Sequence, residues 1–130
     1  FGKDFFDVNP SKEFNRYDVV VFRSPKGDGE YYIKRIISLP GETVKVENGA
    51  VTIYNDEFKD GKVLEESAYL PEGRKTNGDR KVELKDDEYY VMGDNRSHSS
   101  DSRSFGPVNK DEFIGRVILR AWPFGRADIF

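Results

Sequence analysis

The chain has 130 residues, of which 36% are hydrophobic and 35% charged, a composition that suits one globular domain with a modest core. Its 21 basic and 24 acidic residues are well mixed and give a net charge of −3, which gives no support for nucleic-acid binding. The absence of cysteine and the single histidine, His98, exclude disulfides, zinc fingers, thiol catalysis and a multi-histidine metal site, so we expect no metal or cofactor. No apolar run approaches the roughly 18–20 residues that span a bilayer.

Strand signals separated by turns dominate the first half of the chain. The predicted strands lie at residues 17–22, 31–38, 43–47 and 50–54. Pro40-Gly41 closes the second of them. Asn48-Gly49 separates the last two, and this dipeptide between alternating strands strongly favours a two-residue hairpin turn.

The second half begins with a long segment that has no clear periodicity. Residues 55–80 collect Gly, Pro, Asn and charge, which indicates an irregular surface insertion. Residues 82–84 and 88–92 are then predicted to form another strand pair around Asp86-Asp87.

The last predicted elements are a helical turn and a strand. Residues 109–115 predict one turn, with Asn109 as cap, Glu112 at the capping-box position and Gly115 as the stop. Residues 116–122 predict a closing strand. Many short strands and little helix indicate a mostly β fold, either an antiparallel β-sandwich or a partly open barrel. With no repeat and no clear boundary, the whole chain is predicted to be one domain.

Lys34 lies in a strand with apolar residues on both faces. Because side chains alternate along a strand, Lys34 shares a face with Tyr32 and Ile36. Burial disfavours the charged ammonium, so the pKa of Lys34 is expected to fall below the reference value of roughly 10.4, and a neutral amine can act as a base. The alternative is a lysine that snorkels to water or pairs with a carboxylate at a sheet edge.

A dense polar stretch, VMGDNRSHSSDSRSFGPV at residues 91–108, lies between two apolar segments. Together with YYIKRIISLPGETV at residues 31–44, it resembles the type I signal peptidase family, the membrane-anchored serine proteases that remove signal peptides from exported proteins. The family signatures are a Lys-Arg strand leading into Leu-Pro-Gly-Asp/Glu, and a Gly-Asp-Asn-Arg…Ser-x-Asp-Ser-Arg…Gly block. Both are present in order, and the similarity runs from about Tyr17 to Phe124.

The resemblance implies a Ser/Lys dyad, in which a neutral lysine takes the proton of the attacking serine hydroxyl. It places the base on Lys34, and Ser99 would hydrogen-bond the amine and orient it. Asp101 and Arg103 would form an ion pair beside the site. The side chains expected to fix the turn through bonds to the backbone are Asp94, Asn95 and Arg96.

The family's serine nucleophile has no counterpart in this sequence. In the family it lies in a Ser-Met-x-Pro-Thr motif upstream of the lysine, but Met92 is the single methionine here, and neither Ser11 nor Ser24 matches. The chain is therefore expected to be a fragment that begins downstream of that motif, or else a degenerate paralogue, and to be inactive alone. Ser97 and His98 fall at variable positions of the polar block and are expected to be exposed, which does not support a Ser-His site.

The resemblance also implies that the substrate, a signal peptide of a secreted preprotein, binds as an added strand. Tyr32 and Ile33 would line this cleft, although packing in the core is an equal alternative for Ile33. The parent protein is expected to be a monomer at the cell membrane, with its catalytic domain on the extracytoplasmic face. Aromatic residues near the two ends would rest on the membrane or form an ordinary core edge; these are Phe1, Phe5, Phe6, Trp122, Phe124 and Phe130.

Two other functions stay open at the level of sequence. A non-catalytic β-domain could bind extended peptides in the same cleft. A self-cleaving repressor-type peptidase uses a related dyad, but it would need a DNA-binding segment and gives no reason for the long Asp-Asn-Arg block. An upstream anchor and a Ser-Met-x-Pro motif in the full reading frame would favour the signal peptidase.

Overall fold

The computed structural model describes residues 14–117 and, for the backbone alone, Phe6–Asp7. Its strands, in chain order, are β1 (Phe6–Asp7), β2 (Val19–Arg23), β3 (Tyr31–Ser38), β4 (Thr43–Glu47), β5 (Ala50–Tyr54), β6 (Lys62–Val63), β7 (Arg80–Glu83), β8 (Glu88–Met92), β9 (Val108–Asn109) and β10 (Phe113–Val117). One short helix, α1 (Ser102–Phe105), and two 3₁₀ turns, Arg96–His98 and Lys110–Glu112, lie between the later strands.

The described strands form two antiparallel sheets. The larger sheet has the order β1-β10-β2-β3-β8-β9, and the smaller has the order β6-β5-β4-β7. Neither sheet closes on itself, so the predicted mostly β fold is confirmed, with two sheets and no closed barrel among the described strands.

The predicted hairpin is confirmed. Strands β4 and β5 pair from Thr43↔Tyr54 to Glu47↔Ala50. Asn48 and Gly49 between them have φ values of 55° and 82°. Positive φ at both central residues is the requirement of a type I′ turn, which explains why this dipeptide occurs here.

Two strand predictions need correction. Strand β2 begins at Val19 rather than at residue 17, because Tyr17 has a φ of 76°, outside the extended region. Strands β7 and β8 form near the predicted places but do not pair with each other. Strand β7 pairs with β4, and β8 pairs with β3 and β9, so the chain around Asp86-Asp87 crosses from one sheet to the other.

The predicted helical turn at 109–115 is shorter than expected. Asn109 does cap it, since its Oδ1 accepts from Asp111 N at 2.9 Å, but the turn ends at Glu112. Phe113 is buried among aromatic rings and starts β10, so Gly115 lies in a strand and stops no helix. Only the first part of the strand predicted at 116–122 lies within the described residues.

The 55–80 segment is irregular, but it is not confined to the surface. It contains β6, and it contributes three buried side chains, Leu64, Tyr69 and Leu70, to the core between β3, β8 and the smaller sheet. A second cluster, which includes Phe14, Phe22, Ile36 and Phe113, covers the other face of the larger sheet. Consecutive residues of β3 therefore point into different clusters, as strand geometry requires.

Candidate active site

Lys34 lies in the middle of β3 and reaches the polar stretch that follows β8. Its Nζ donates to Ser99 Oγ at 3.0 Å, across 65 positions of sequence. Its partner in the neighbouring strand is Val20, which is fully buried. Lys34 is itself half-buried. The amine therefore does not point freely into solvent, and it lies within hydrogen-bond reach of the serine that the sequence singled out.

The surroundings of Lys34 favour the neutral amine. Burial is the main cause and lowers the pKa of Lys34 below its ordinary value. The carboxylates of Asp101 and Asp94 act to raise this pKa, whereas Arg103 acts with burial to lower it. The Tyr32 ring, whose centroid lies 5.5 Å from Nζ, covers the amine from one side.

The contact between lysine and serine depends on a missing side chain. A β-carbon added to Gly93 would lie 2.0 Å from Ser99 Oγ and 3.3 Å from Lys34 Nζ. Gly93 is buried and directly follows Met92, the last residue of β8. This glycine is not among the site residues predicted from the sequence, although it opens the Gly-Asp-Asn-Arg signature.

The ion pair expected between Asp101 and Arg103 is present, and both side chains also hydrogen-bond to nearby backbone groups. Arg103 Nε and Nη2 donate to the two Asp101 oxygens at 2.9 and 2.7 Å. Asp101 is fully buried and also accepts from Gly93 N at 3.0 Å. Arg103 Nη2 in turn donates to the Arg96 carbonyl at 2.7 Å. The pair thereby fixes the backbone at Gly93 and Arg96, which precede Ser99 in the chain.

Arg35 and Asp94 form a second buried ion pair. Arg35 Nε and Nη2 donate to the two carboxylate oxygens at 3.0 and 2.8 Å, the bidentate geometry typical of strong arginine–carboxylate pairs. Burial raises the pKa of Asp94, and the bonds from Arg35 act against that rise. Asp94 was predicted to bond to the backbone of the turn, whereas its observed partner is the side chain of Arg35 in β3.

Arg96 is fully buried, and its side chain extends from the polar turn to the 55–80 segment. Its Nε donates to the Gly93 carbonyl at 2.9 Å, which is the predicted kind of bond to the backbone. Its terminal nitrogens donate to Glu66 and Thr76. Burial alone would lower the pKa of Arg96, but the hydrogen bonds that it donates to Glu66 hold this pKa above its ordinary value. No local sequence pattern marks Glu66 or Thr76 as partners.

Three further residues of the block play smaller parts. Asn95 makes no capping hydrogen bond to the 3₁₀ turn that it precedes, so its predicted bond to the backbone of this turn is not observed. Ser97 and His98 are both exposed, as expected, and their Oγ and Nδ1 atoms lie 2.9 Å apart on the surface.

The first residues of β3 have a strand partner on one side only. Strand β2 pairs along Tyr31 to Arg35, but β8 joins β3 only from Arg35 onwards. Among the described strands, none lies along the other flank of residues 31–33. Tyr32 packs against the Phe22 and Phe105 rings, with centroids about 6.1 and 6.0 Å away, so it also belongs to the core.

Other candidate features lie apart from Lys34. A cavity of about 710 Å³ is lined by residues 49–51, 64–67, 70–74 and 76. In the described part of the chain, no group of three or more acidic or histidine side chains is arranged to hold a metal ion. Nor does any helix there have the length and apolar character to cross a membrane. The terminal aromatic side chains predicted to rest on a membrane lie outside the described residues.

Comparison with known proteins identifies the family. The family model described as signal peptidase, peptidase S26, matches residues 3–122. Signal peptidase I U of Bacillus subtilis (strain 168) is 36% identical over 114 residues, which cover 86% of this chain and 60% of that protein. Signal peptidase IB of Staphylococcus aureus is 33% identical over 118 residues, which cover 82% of this chain and 60% of that protein.

The fold agrees with this relationship. The crystal structure of a signal peptidase I from Enterococcus faecalis V583 aligns with a TM-score of 0.64 at 29% identity, over 81% of this chain and 97% of that one. The chain belongs to the signal peptidase family, peptidase S26. It spans about 60% of the length of the two curated relatives named above.

Proposed function

We propose that this chain is the catalytic β-domain of a signal peptidase, and that Lys34 is the general base of a Ser/Lys dyad. The observation that carries the proposal is the half-buried Lys34 amine, hydrogen-bonded to Ser99 at 3.0 Å, with its pKa lowered by burial. A lysine with these surroundings can be neutral and can accept a proton. The proposed substrates are the signal peptides of secreted preproteins, and family membership supports this substrate class.

In this mechanism the neutral amine of Lys34 takes the proton of a serine hydroxyl as the serine oxygen attacks the scissile carbonyl. The proton then passes to the leaving amine, which departs as the acyl-enzyme forms. In the second step water attacks the acyl-enzyme carbonyl and gives a proton to Lys34, which passes it to the serine oxygen as the bond from the carbonyl carbon to that oxygen breaks. Ser99 holds the amine in one orientation, and the Asp101–Arg103 pair fixes the backbone around Ser99.

The nucleophile is proposed to come from a Ser-Met-x-Pro-Thr motif outside these 130 residues, because no such motif occurs within them. On this account the 130-residue chain does not cleave a signal peptide, whereas the full-length protein does. Hydrolysis by the isolated chain would contradict the proposal.

The substrate is proposed to add as a strand beside residues 31–33, where Tyr32 and Ile33 would line the cleft. The one-sided pairing of this part of β3 supports the idea. The parent protein is proposed to act as a monomer at the extracytoplasmic face of the cell membrane, and family membership supports that location.

The decisive test is Lys34→Met in the full-length protein, assayed on a signal-peptide substrate. Loss of the general base is expected to lower kcat/KM by about 10³-fold. Lys85→Met, which changes an exposed lysine, is the matched control and should keep full activity. Because burial lowers the pKa of Lys34, wild-type activity should rise with pH along a limb whose midpoint lies below 10.5.

A non-catalytic peptide-binding domain is the second candidate, favoured by the same open flank of β3. It predicts that the full-length protein binds signal peptides without cleaving them, and that Lys34→Met leaves binding unchanged. Full activity in the Lys34→Met enzyme would instead show that the base is another residue.

A further inference from the structure

A buried ion pair joins the polar turn beside Lys34 to the 55–80 segment. Arg96 Nη1 and Nη2 donate to Glu66 Oε1 and Oε2 at 3.1 and 2.6 Å. The Arg96 side chain is 0% exposed and that of Glu66 is 11% exposed, so both charges are largely removed from water. Charges buried in this way need complete hydrogen bonding to be tolerated.

Two other residues of the same segment complete that bonding. Thr76 Oγ1 accepts from Arg96 Nη1 at 2.7 Å, and the Tyr69 hydroxyl donates to Glu66 Oε2. The centroid of the Tyr69 ring also lies 4.3 Å from the Arg35 guanidinium and 5.8 Å from that of Arg96. Glu66, Tyr69 and Thr76, here named the arginine clamp, therefore all contact Arg96, and Tyr69 also contacts Arg35.

Arg96 connects the arginine clamp to Lys34 and Ser99 through one residue, Gly93. Its Nε donates to the carbonyl of Gly93 at 2.9 Å. Gly93 lies directly against Ser99 and Lys34, with no room for even a methyl group between them. A small displacement of the Gly93 backbone must therefore change the spacing of the lysine and the serine.

We propose that Glu66 is a positioning residue of the active site, which holds Arg96 and, through it, the Gly93 backbone that sets the contact between Lys34 and Ser99. The inference rests on the proposed dyad, and it adds a residue that lies outside both signature segments. The charges that act most strongly on Lys34 are those of Asp101, Arg103, Asp94 and Lys26, so Glu66 acts through position rather than through its own charge.

The test is Glu66→Gln in the full-length protein, compared with Glu65→Gln. Glu65 is the neighbouring carboxylate, is exposed, and accepts hydrogen bonds from the nearby Ser67, so it is a matched control. Glu66→Gln is expected to lower kcat about 10- to 100-fold with KM changed less than about two-fold, because the reacting groups lose their alignment. Glu65→Gln should match the wild type.

A pH profile separates positioning from a general loss of stability. When the turn loosens, water reaches Lys34, burial lowers its pKa less, and the limb of kcat/KM should move to higher pH. A purely structural role would reduce the amount of folded enzyme but leave kcat per folded molecule and the profile unchanged. That result, or an unaltered kcat in folded Glu66→Gln, would overturn the inference.

Thr76→Val provides a milder variant in case Glu66→Gln does not fold. It removes one acceptor from Arg96 and keeps the charges, so kcat should fall by about 3- to 10-fold, the cost of roughly one hydrogen bond, with the same direction of pH shift. An unchanged kcat and profile in this variant would also contradict the inference. Lys34→Met in the same assay separates the two proposals, since the dyad fails only if that enzyme stays active.

Discussion

At the scale of single residues, the candidate site depends on how closely the backbone approaches two side chains. Gly93 is excluded from carrying a side chain by space, because a β-carbon would lie 2.0 Å from Ser99 Oγ and 2.6 Å from Ser99 Cβ. Because Gly93 has no β-carbon, Ser99, which lies in the polar stretch after β8, can reach Lys34. This glycine is thus as necessary to the geometry as the residues that hydrogen-bond.

Gly93→Ala is expected to push Ser99 away from Lys34. Overpacking of this kind costs about 1–3 kcal/mol of unfolding free energy, and misplacement of Lys34, which Ser99 orients, should lower kcat by about 10²-fold. Denaturant unfolding and steady-state kinetics of the full-length protein measure the two effects. The double variant Gly93→Ala/Ser99→Gly makes room again, so it should regain stability without regaining activity. If the double variant does not regain stability, the side chain added at position 93 clashes with a group other than Ser99.

At the scale of elements, the turn between β3 and β4 fixes the strand that carries Lys34. Glu42 N donates to the Leu39 carbonyl at 3.1 Å, and Gly41 has a φ of 81°. Proline followed by a glycine with positive φ is typical of a type II turn. The Glu42 carboxylate accepts bonds from Ser38, Leu39, Arg16 and Asn55. The Leu-Pro-Gly-Glu signature is therefore a structural anchor for the end of β3.

Glu42→Gln tests this anchor through stability. Burial opposes ionisation, but the bonds from Arg16, Leu39 and Asn55 lower the pKa of Glu42 from 4.5 to about 2. The ionised carboxylate therefore stabilises the fold above about pH 4.5, and this contribution is lost as the pH falls to about 2. At pH 7 the substitution is expected to cost about 3 kcal/mol of unfolding free energy.

The pH dependence and a surface control make this prediction specific. The difference between wild type and Glu42→Gln should shrink between pH 4.5 and 2, as followed by denaturant unfolding at several pH values. Glu47→Gln breaks an ion pair with Lys45 that is exposed, and should cost less than about 1 kcal/mol. Equal costs for the two substitutions would contradict the anchoring role of Glu42.

At the scale of the whole molecule, the two sheets are joined by one shared core. Ile37, Tyr90 and Met92 of the larger sheet pack with Val44 and Ile53 of the smaller sheet. The 55–80 segment closes this core with Leu64, Tyr69 and Leu70 and also supplies the arginine clamp. One segment therefore contributes both to the stability of the fold and to the surroundings of the site.

Leu64→Ala compared with Val63→Ala tests the role of this segment in the core. Leu64 is 8% exposed and Val63, its neighbour, is 61% exposed. Loss of the buried side chain is expected to cost about 2–5 kcal/mol of unfolding free energy, and loss of the exposed one less than about 0.5 kcal/mol. Similar small values for both variants would mean that the segment lies on the surface, as its composition alone suggested.

The sequence by itself determined the features that depend on neighbouring residues. The bounds of β3, the Asn48-Gly49 hairpin and the cap at Asn109 follow from periodicity and turn chemistry, which act over a few positions. The position of Lys34 among apolar residues follows in the same way. The two signature segments were enough to identify the family, because each is a continuous run of letters.

The tertiary structure alone decided which distant groups meet. The assignment of β7 and β8 to different sheets, and the contact of Arg96 with Glu66 across 30 positions, have no local signal. A buried charge needs a hydrogen-bonded partner, and the packing of the core determines which group is close enough to serve. A segment without periodicity can supply that partner as readily as a strand can. Local propensity therefore determines most of the secondary-structure elements of this protein, whereas burial of side chains between the two sheets determines which elements contact each other.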